Sequence, residues 1–322
     1  MDTVAGLLDG PRANGAFLLR SLLEPPWSLR IQDEAPLTVV AVMDGNAWIV
    51  PDDAASVELG SGDVAIVRGP DHYTVADCPA TPPQIVIHPG QRCTTIDGED
   101  LYQSMDLGVR TWGNAADGST KMLTGTYEFE TEVGRRLLEA LPPLLVVTQA
   151  ELDSPLAVVL ADEIQRNEPG QDVILDRLLD LLLLSALRTW LARPETDTPA
   201  WYLAQSDPII GPAIRMLYNN PAHPWTVAKL AAEVGISRAS LARRFAVLVG
   251  EPPMTFLTSW RLAVAADLLR DPTCTVAAAA RHVGYATPYA FSAAFKRVKG
   301  VSPTEYRAGR AAKWRDAGGT TD

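Results

Sequence analysis

The sequence is poor in the features that mark membrane, secreted and disulfide-bonded proteins. No stretch of about eighteen apolar residues without charge occurs, and the most apolar run, Leu178 to Leu191, is interrupted by polar residues. Three cysteines are too few, and odd in number, for a disulfide framework. The Met1-Asp2 start lacks the basic region of a signal peptide. We therefore expect a cytoplasmic protein with free thiols and no membrane partner.

Motifs of common enzyme classes are also missing. The chain has 4 histidines, no HExxH zinc motif, no Gly-rich phosphate loop and no Ser nucleophile elbow. Acid pairs such as Asp52 and Asp53 fall in turn-like segments, where solvated carboxylates are commoner than an acid–base dyad. We therefore expect no catalytic residues, no enzymatic activity and no cofactor.

Charge is divided unevenly along the 322 residues. The net charge of −11 is unusual for a nucleic-acid-binding protein. Residues 1–211 contain 13 Lys+Arg against 32 Asp+Glu, a net of −19, whereas residues 212–316 contain 15 against 6, a net of +9. A basic module joined to an acidic body is the pattern expected when one module binds phosphate and the other does not.

The residue patterns predict an α+β chain in which a β-rich part precedes a helical part. Short apolar runs separated by Gly, Pro, Asp and Asn clusters, about ten residues apart, indicate a β-sandwich or small barrel. The expected strands are Leu37–Val42, Ala47–Val50, Asp63–Arg68, Tyr73–Ala76 and Gln84–Ile87. The expected helices of the middle region are Ser154–Asn167 and Asp172–Ala192. The expected boundaries are 1–125 for the β domain, 126–193 for a helical packing and dimerisation segment, 194–211 for a linker, 212–316 for an all-α domain and 317–322 for a tail.

Residues 226–249 have the pattern of a helix-turn-helix. Thr226 and Ser237 are suited to cap two short helices, Gly235 to make the tight turn between them, and Ala231 to let the helices cross closely. Three arginines on the second helix suit phosphate contact and bidentate guanine recognition. The residues of that helix not used for packing are Arg238, Ala239, Ser240, Ala242, Arg243 and Arg244.

The pattern returns in residues 275–299. Gly284 supplies the turn, and Thr287 caps the second helix with Pro288 at its first position. Residues 254–270 between the two units predict one long helix, which would hold the reading helices in successive major grooves about 34 Å apart. One such pattern is as often a packing motif as a DNA reader, but two in tandem on a basic segment predict sequence-specific binding to double-stranded DNA.

The same segment resembles the AraC/XylS-type DNA-binding domain from about Pro212 to Arg310. The resemblance is carried by WTVAKLAAEVGISRASLARRF, GEPPMTFLTSWRLAVAADLL and AAAARHVGYATPYAFSAAFKRVKGVSPTEYR. It implies that Arg243 is the principal base-contacting residue of the first reading helix. In the second reading helix it places Pro288, Tyr289 and Ala293 at the groove and Ser292 and Lys296 at the backbone, with Thr287 and Arg297 completing the expected interface.

The chain departs from the family pattern at position 293. Arg or Lys is frequent there, whereas this chain has Ala293, which offers only apolar contact, for example to a thymine methyl group. We therefore expect direct base readout to come mainly from the first unit, while the second positions the protein.

The acidic half resembles the cupin-type N-terminal domain of one branch of AraC-type regulators. LGSGDVAIVRGPDHYTV is similar to the second cupin motif, VMDGNAWIV to the strand pair before it, and GRRLLEALPPLLVV completes the pattern. Cupin enzymes normally hold a metal with a His-x-His pair, a Glu and a later His. No histidine precedes His72, so the first of these motifs is absent.

Two histidines remain as candidate metal ligands, His72 and His88. A hairpin centred near Ala80 would set them opposite each other on adjacent strands. With Cys78 or Cys93 they could bind a soft metal or sense oxidants. The alternative, a hydrogen-bonded core histidine and ordinary thiols, is the interpretation we favour, so no metal site is predicted.

Effector binding and dimerisation are further expectations for the acidic half. A barrel of this size could enclose a small molecule, with Trp27, Trp48, Tyr73 and Trp112 as candidate walls or simply as core. The run Leu181-Leu182-Leu183-Leu184 predicts either a homodimer interface or core packing. The resemblance implies dimerisation through this half.

The sequence as a whole predicts a DNA-binding transcription regulator whose N-terminal domain senses an effector or redox state and modulates DNA binding. RNA polymerase is a candidate partner. The competing class is a cupin-type metal-dependent enzyme or small-molecule-binding module with secondary DNA binding. A nonspecific architectural DNA binder is disfavoured by the acidic body and the discrete reading helices.

Overall fold

The computed structural model describes residues 16–127, 132, 135, 138, 141–193, 203–271 and 273–308. The chain divides into two compact units. One comprises Pro11–Glu130 and Leu138–Thr196; the other comprises Met1–Gly10, Thr131–Leu137 and Asp197–Asp322. The first half of the expected linker (194–202) and the expected tail (317–322) lie outside the described residues. No helix in the described ranges is long and apolar enough to cross a membrane.

The first unit is mostly β-structure. Its described strands form a seven-stranded sheet in the order β10-β11-β1-β12-β3-β6-β13 and a six-stranded sheet in the order β5-β4-β7-β2-β8-β9. All the strands expected from the sequence are present. The strand bounds are β1 Phe17–Leu23, β2 Ser28–Ile31, β3 Leu37–Asp44, β4 Ala47–Pro51, β5 Val57–Leu59, β6 Val64–Arg68, β7 Tyr73–Ala76, β8 Ile85–His88, β9 Arg92–Thr95, β10 Asp106–Gly108, β11 Thr111–Gly113, β12 Thr120–Tyr127 and β13 Leu144–Val147.

The two sheets share one buried apolar core, so this part of the chain is a β-sandwich. Val40 and Met122 enter the core from the larger sheet, and Ile49 and Val75 from the smaller one. The turn between β3 and β4 requires Gly45, which has φ +75°, and a Cβ there would lie 2.6 Å from the Ser119 carbonyl oxygen. Backbone sterics thus fix the tight β3–β4 reversal that the Asp-Gly-Asn cluster predicts.

The hairpin expected around Ala80 is wrong. β7 and β8 lie on opposite sides of β2, which pairs antiparallel with β7 and parallel with β8. His72 and His88 are therefore not cross-strand neighbours. The prediction of a hairpin considers only segments adjacent in sequence. The strand that lies between β7 and β8 is β2, which precedes β7 by more than forty residues.

Three described helices complete the first unit: α1 (Gln149–Leu152), α2 (Leu156–Glu163) and α3 (Gln171–Leu191). Strand β13 lies within the segment 126–193 that was expected to be helical, and it pairs with β6. α3 packs against the larger sheet, where Gly125 leaves room for the Leu179 side chain. A Cβ at Gly125 would lie 2.4 Å from a Leu179 methyl carbon.

The described part of the second unit is helical. Its helices are α4 Ile210–Asn219, α5 Val227–Glu233, α6 Arg238–Val249, α7 Pro253–Leu268, α8 Val276–His282 and α9 Pro288–Lys299. A 3-10 turn, Ala204–Ser206, precedes α4, and residues 303–308 are helical after α9. The long helix expected between the two helix-turn-helix patterns is α7.

Candidate nucleic-acid interface

The first reading unit consists of α5, a turn and α6. Thr226 Oγ1 accepts a hydrogen bond from the Lys229 N–H (3.1 Å), and Ser237 Oγ accepts one from the Ser240 N–H (3.2 Å). Gly235 has φ +73°, a left-handed conformation that glycine adopts without strain. The two predicted caps and the predicted turn glycine are confirmed, and they give α6 a fixed start and direction.

The outer face of α6 carries two cations that have no partner among the described residues. Arg238 and Arg243 are exposed, and their guanidinium groups make no hydrogen bond or ion pair within the described ranges. Ala239 beside them is exposed, while Ser240 and Ala242 are half-buried. This face can therefore present positive charge and bidentate donors to a ligand without breaking an internal contact.

Arg244 differs from the other two arginines because it is held by Asp207. Its Nη2 lies 2.7 Å from the Asp207 carboxylate, whose other oxygen accepts from the N–H groups of Ile209 (2.9 Å) and Ile210 (2.8 Å) at the start of α4. Burial raises the pKa of Asp207, but these hydrogen bonds outweigh it, and the pKa lies below its usual value. The pair ties the reading helix to α4, a role that the sequence pattern did not reveal.

The second reading unit repeats the arrangement with α8 and α9. Thr287 Oγ1 accepts from the Ala290 N–H (3.2 Å), and Pro288 occupies the first helical position, as predicted. Gly284 has φ +83°, and a Cβ there would lie 2.4 Å from the Ala222 carbonyl oxygen. Glycine is required at this turn because of its left-handed backbone conformation and because the backbone of Ala222 approaches it closely.

The two reading helices present different exposed faces. Six residues after its cap, α6 carries Arg243, whereas α9 carries Ala293 at the corresponding position. Tyr289 is the most exposed large hydrophobic side chain of α9, 85% accessible, and Lys296 and Arg297 are exposed towards its C-terminal end. Ser292 is half-buried, and Thr287 and Pro288 are exposed. The first helix thus offers arginine donors, and the second offers one phenol and a cationic end.

Helix α7 contributes to the cores of both reading units. Phe256 and Trp260 pack in the cluster that contains α5 and α6, whereas Leu262 and Ala266 pack in the cluster that contains α8 and α9. Opposite faces of one continuous helix are therefore buried by the two reading units. This explains why the segment is apolar nearly all round.

Arg261 on α7 adds a polar connection between the two reading units. Its Nε donates to the Pro221 carbonyl (2.6 Å), its Nη2 donates to the His223 carbonyl (2.8 Å), and its guanidinium lies 5.9 Å from the centre of the Tyr285 ring. Burial lowers the pKa of Arg261. The loop before the first unit and the turn of the second are thus held by one side chain. The sequence signal for this role was a single arginine in the middle of a mostly apolar helix.

The β-sandwich unit contains a cavity of about 440 Å³. Aliphatic side chains from β4, β5, β6 and β13 form most of its wall, and four residues supply polar groups: Arg68, Asp71, His72 and Tyr73. The Arg68 Nη1 donates to the Leu138 carbonyl (3.2 Å). A concave, mostly apolar pocket with a few polar groups is the usual form of a small-molecule site.

Of the aromatic residues proposed as pocket walls, Tyr73 lines this cavity. Trp27 and Trp112 belong to the buried core between the sheets, and Trp48 is half-buried on β4. The indole N–H groups of Trp27 and Trp112 have no acceptor among the described residues.

His72 and His88 have different surroundings. His88 Nε2 is 2.9 Å from Thr94 Oγ1, whereas His72 lines the cavity. Burial, with a contribution from Asp100, raises the pKa of the Cys93 thiol to about 11, and Cys78 is exposed. In the described ranges no three His, Cys, Asp or Glu side chains are grouped as metal ligands.

Both compact units of the chain resemble known protein families. The Cupin family profile matches residues 2–192, and a Helix-turn-helix domain profile matches residues 230–309. A putative AraC-like transcription regulator from Streptomyces lividans is 30% identical over 286 residues, which are 87% of this chain and 90% of that protein. The transcriptional regulator AlkR from Acinetobacter baylyi is 27% identical over 95% of this chain and 99% of its own length.

Among solved structures, the DNA-binding domain of AdpA in complex with a target DNA is 32% identical to this chain. It covers 34% of this chain and 96% of its own length, with a TM-score of 0.32. The similarity to the Streptomyces lividans protein extends across both units, and the cupin match alone covers more than half of the residues. The chain therefore belongs to the AraC family of transcription regulators, with a cupin N-terminal domain and a helix-turn-helix DNA-binding domain.

Proposed function

We propose that this regulator reads a specific duplex DNA site by placing α6 and α9 in successive major grooves. The observation that carries the proposal is the outer face of α6, where Arg238 and Arg243 are exposed and uncommitted within the described residues. Tyr289 on α9 is 85% accessible and supports the same orientation for the second unit. Arg244 is assigned to holding α6 through Asp207 rather than to base contact.

Selection of duplexes from a random DNA pool by the purified full-length chain tests this function. We expect one enriched motif with two recognised elements about one helical turn, 10–10.5 base pairs, apart. The α6 element should show the stronger base preference, since its face carries arginines whereas α9 has Ala293. Recovery of DNA without a common motif would contradict sequence-specific reading.

The sandwich cavity is the proposed effector site. Its aliphatic wall and its Arg68 and His72 groups suit a small amphipathic molecule. We use 1-anilinonaphthalene-8-sulfonate as a probe. It should bind one site per chain and change the affinity for the selected duplex. Val57→Trp, which fills the cavity, should abolish both effects, whereas Ile96→Trp on the exposed surface should not. Unchanged probe binding in Val57→Trp would exclude this cavity.

The proposed assembly is a homodimer formed through α2 and α3. Val158 and Val159 on α2 and Val173, Ile174 and Leu181 on α3 are exposed, although α3 already buries a full apolar face on the sandwich. An exposed apolar patch on paired helices is typical of an interface. Replacing Ile174 and Leu181 together by Arg should give monomers in sedimentation velocity, while Ile96→Arg should not. A wild-type monomer at all concentrations would refute the dimer.

The proposed setting is the cytoplasm, with RNA polymerase as the machinery that responds, and the proposed role is regulation rather than catalysis. The relatives that match along the whole chain are transcription regulators. A reaction containing only RNA polymerase, a promoter fragment with the selected motif and the purified chain should show a changed transcript yield. The same yield with and without the chain would count against this role.

A further inference from the structure

The residue Glu132 belongs in sequence to the cupin half but makes all its described contacts in the DNA-binding unit. Its carboxylate is buried, with 9% of the residue exposed. Oε2 accepts from Lys299 Nζ at 2.5 Å, and Oε1 accepts from the Tyr306 hydroxyl at 2.9 Å. Its backbone N–H donates to Asp267 Oδ1 at 2.8 Å. Arg135 adds a second cation at 2.8 Å from Oε2.

The partners of Glu132 lie on three separate helical elements. Asp267 is near the end of α7, Lys299 is the last residue of α9, and Tyr306 lies in the helix at 303–308. The Tyr306 ring also packs edge-on against Phe295 of α9, with ring centres 5.5 Å apart. Glu132, which lies outside the segment 230–309 matched by the helix-turn-helix family, therefore contacts the elements that hold the second reading helix in place.

Glu132 approaches α9 from the side opposite the expected DNA contacts. Lys299 follows Phe291 and Phe295 at four-residue steps, so it continues the buried face of the helix. Tyr289, Ala293 and Lys296 lie outside that row and are exposed. Glu132 therefore does not compete with DNA for these residues. It can instead affect the position of α9.

The surroundings of Glu132 stabilise the charged form of its carboxyl group. Burial raises the pKa of the carboxyl group, but the hydrogen bonds and charges of Lys299, Tyr306 and Arg135 outweigh it, and the pKa lies below its ordinary value. The group is charged at neutral pH. Removing one member of such a buried pair leaves the other charge without compensation, so the arrangement resists partial disruption.

We propose that Glu132 is a positioning residue of the second reading unit. This inference rests on the proposed function, because it assumes that α9 reads DNA.

The test measures affinities of the full-length chain for the selected duplex and for a duplex scrambled only in the α9 half-site. That half-site is identified as the base pairs whose preference changes in Tyr289→Ala. In Glu132→Gln the ratio of the two affinities should fall by about fivefold or more, while affinity for the scrambled duplex stays unchanged. Glu168→Gln, an equal charge change at an exposed site, should leave the ratio as in wild type.

Two further variants separate positioning from loss of folding. Lys299→Met should lower the ratio similarly, and the double variant with Glu132→Gln should be no worse than either single one, since both remove the same contact. Tyr306→Phe keeps the ring packing on Phe295 and removes one hydrogen bond, so it should lower the ratio less. A ratio equal to wild type in both Glu132→Gln and Tyr306→Phe, or strictly additive effects, would overturn the assignment.

Failure of the wild-type chain to enrich any motif would instead refute the proposed function, so the two failures are distinguishable.

Discussion

Arg243→Ala is the most informative single change because it should affect DNA reading and little else. The side chain is exposed on α6 and makes no hydrogen bond or ion pair within the described residues. Surface substitutions of this kind usually change the free energy of unfolding by less than about 0.5 kcal/mol. Alanine is also the best helix former, so the backbone of α6 is not weakened. A loss of binding therefore cannot be attributed to unfolding.

The size of the loss depends on what Arg243 contacts. A bidentate pair with guanine contributes about 1–3 kcal/mol of discrimination, which corresponds to about 5- to 150-fold in affinity. The loss should be confined to one base pair, where the variant would accept any base. Arg244→Ala is the matched comparison. It breaks the ion pair with Asp207, so it should lower the melting temperature without erasing preference at one position.

The assay is fluorescence anisotropy at constant salt with the selected duplex, with every single-base variant of its α6 half-site and with a random duplex. Melting temperatures of the three proteins are measured in parallel. If Arg243→Ala loses affinity equally for specific and random DNA, the residue is only a phosphate contact. If affinity does not change on any duplex, α6 does not face the DNA in the proposed way.

Three further predictions concern charge, capping and acid stability. Lys296→Ala should weaken binding similarly on all duplexes and reduce the slope of log affinity against log salt by about 1; an unchanged slope in a salt titration would contradict a phosphate contact. Ser237→Ala removes the acceptor of the Ser240 N–H and should destabilise the DNA-binding unit by about 1 kcal/mol, measured by thermal melting; no shift would show that the cap is unimportant. The Glu151 pKa is lowered to about 2 by hydrogen bonds from Thr148 and by Arg193, below its value of about 4.3 in an unfolded chain. Its contribution to stability is therefore present above the unfolded pKa and is lost as pH falls towards 2, so Glu151→Gln should show a shallower decrease in urea midpoint between about pH 5 and pH 2; parallel curves would refute this.

Elements governed by neighbouring residues could be predicted from the sequence. The caps Thr226, Ser237 and Thr287 and the turns at Gly235 and Gly284 depend on backbone conformation within a few residues, and all are as expected. The strands were placed correctly for the same reason, because alternation and turn residues act locally. Which strands become neighbours is not local, and the expected pairing around Ala80 was wrong for that reason.

The candidate interface was only partly visible in the sequence. The sequence identified the three arginines of α6 as a group. It could not show that Arg244 is paired while the other two are not, because Asp207 lies more than thirty residues before Arg244. The same applies to Arg261, whose acceptors are carbonyls of residues 221 and 223. Main-chain acceptors carry no side-chain signature, so no residue pattern could have marked them.

The sequence by itself determined the two modules, the order of their elements, the charge separation between −19 and +9 and the inequality of Arg243 and Ala293. These follow from residue type and short-range spacing. The tertiary structure decided which arginines of α6 make no contact among the described residues, where the sandwich leaves a cavity, and that Glu132 binds Lys299 and Tyr306. Each of these depends on contacts between residues far apart in the chain, and such contacts exist only once the core has packed.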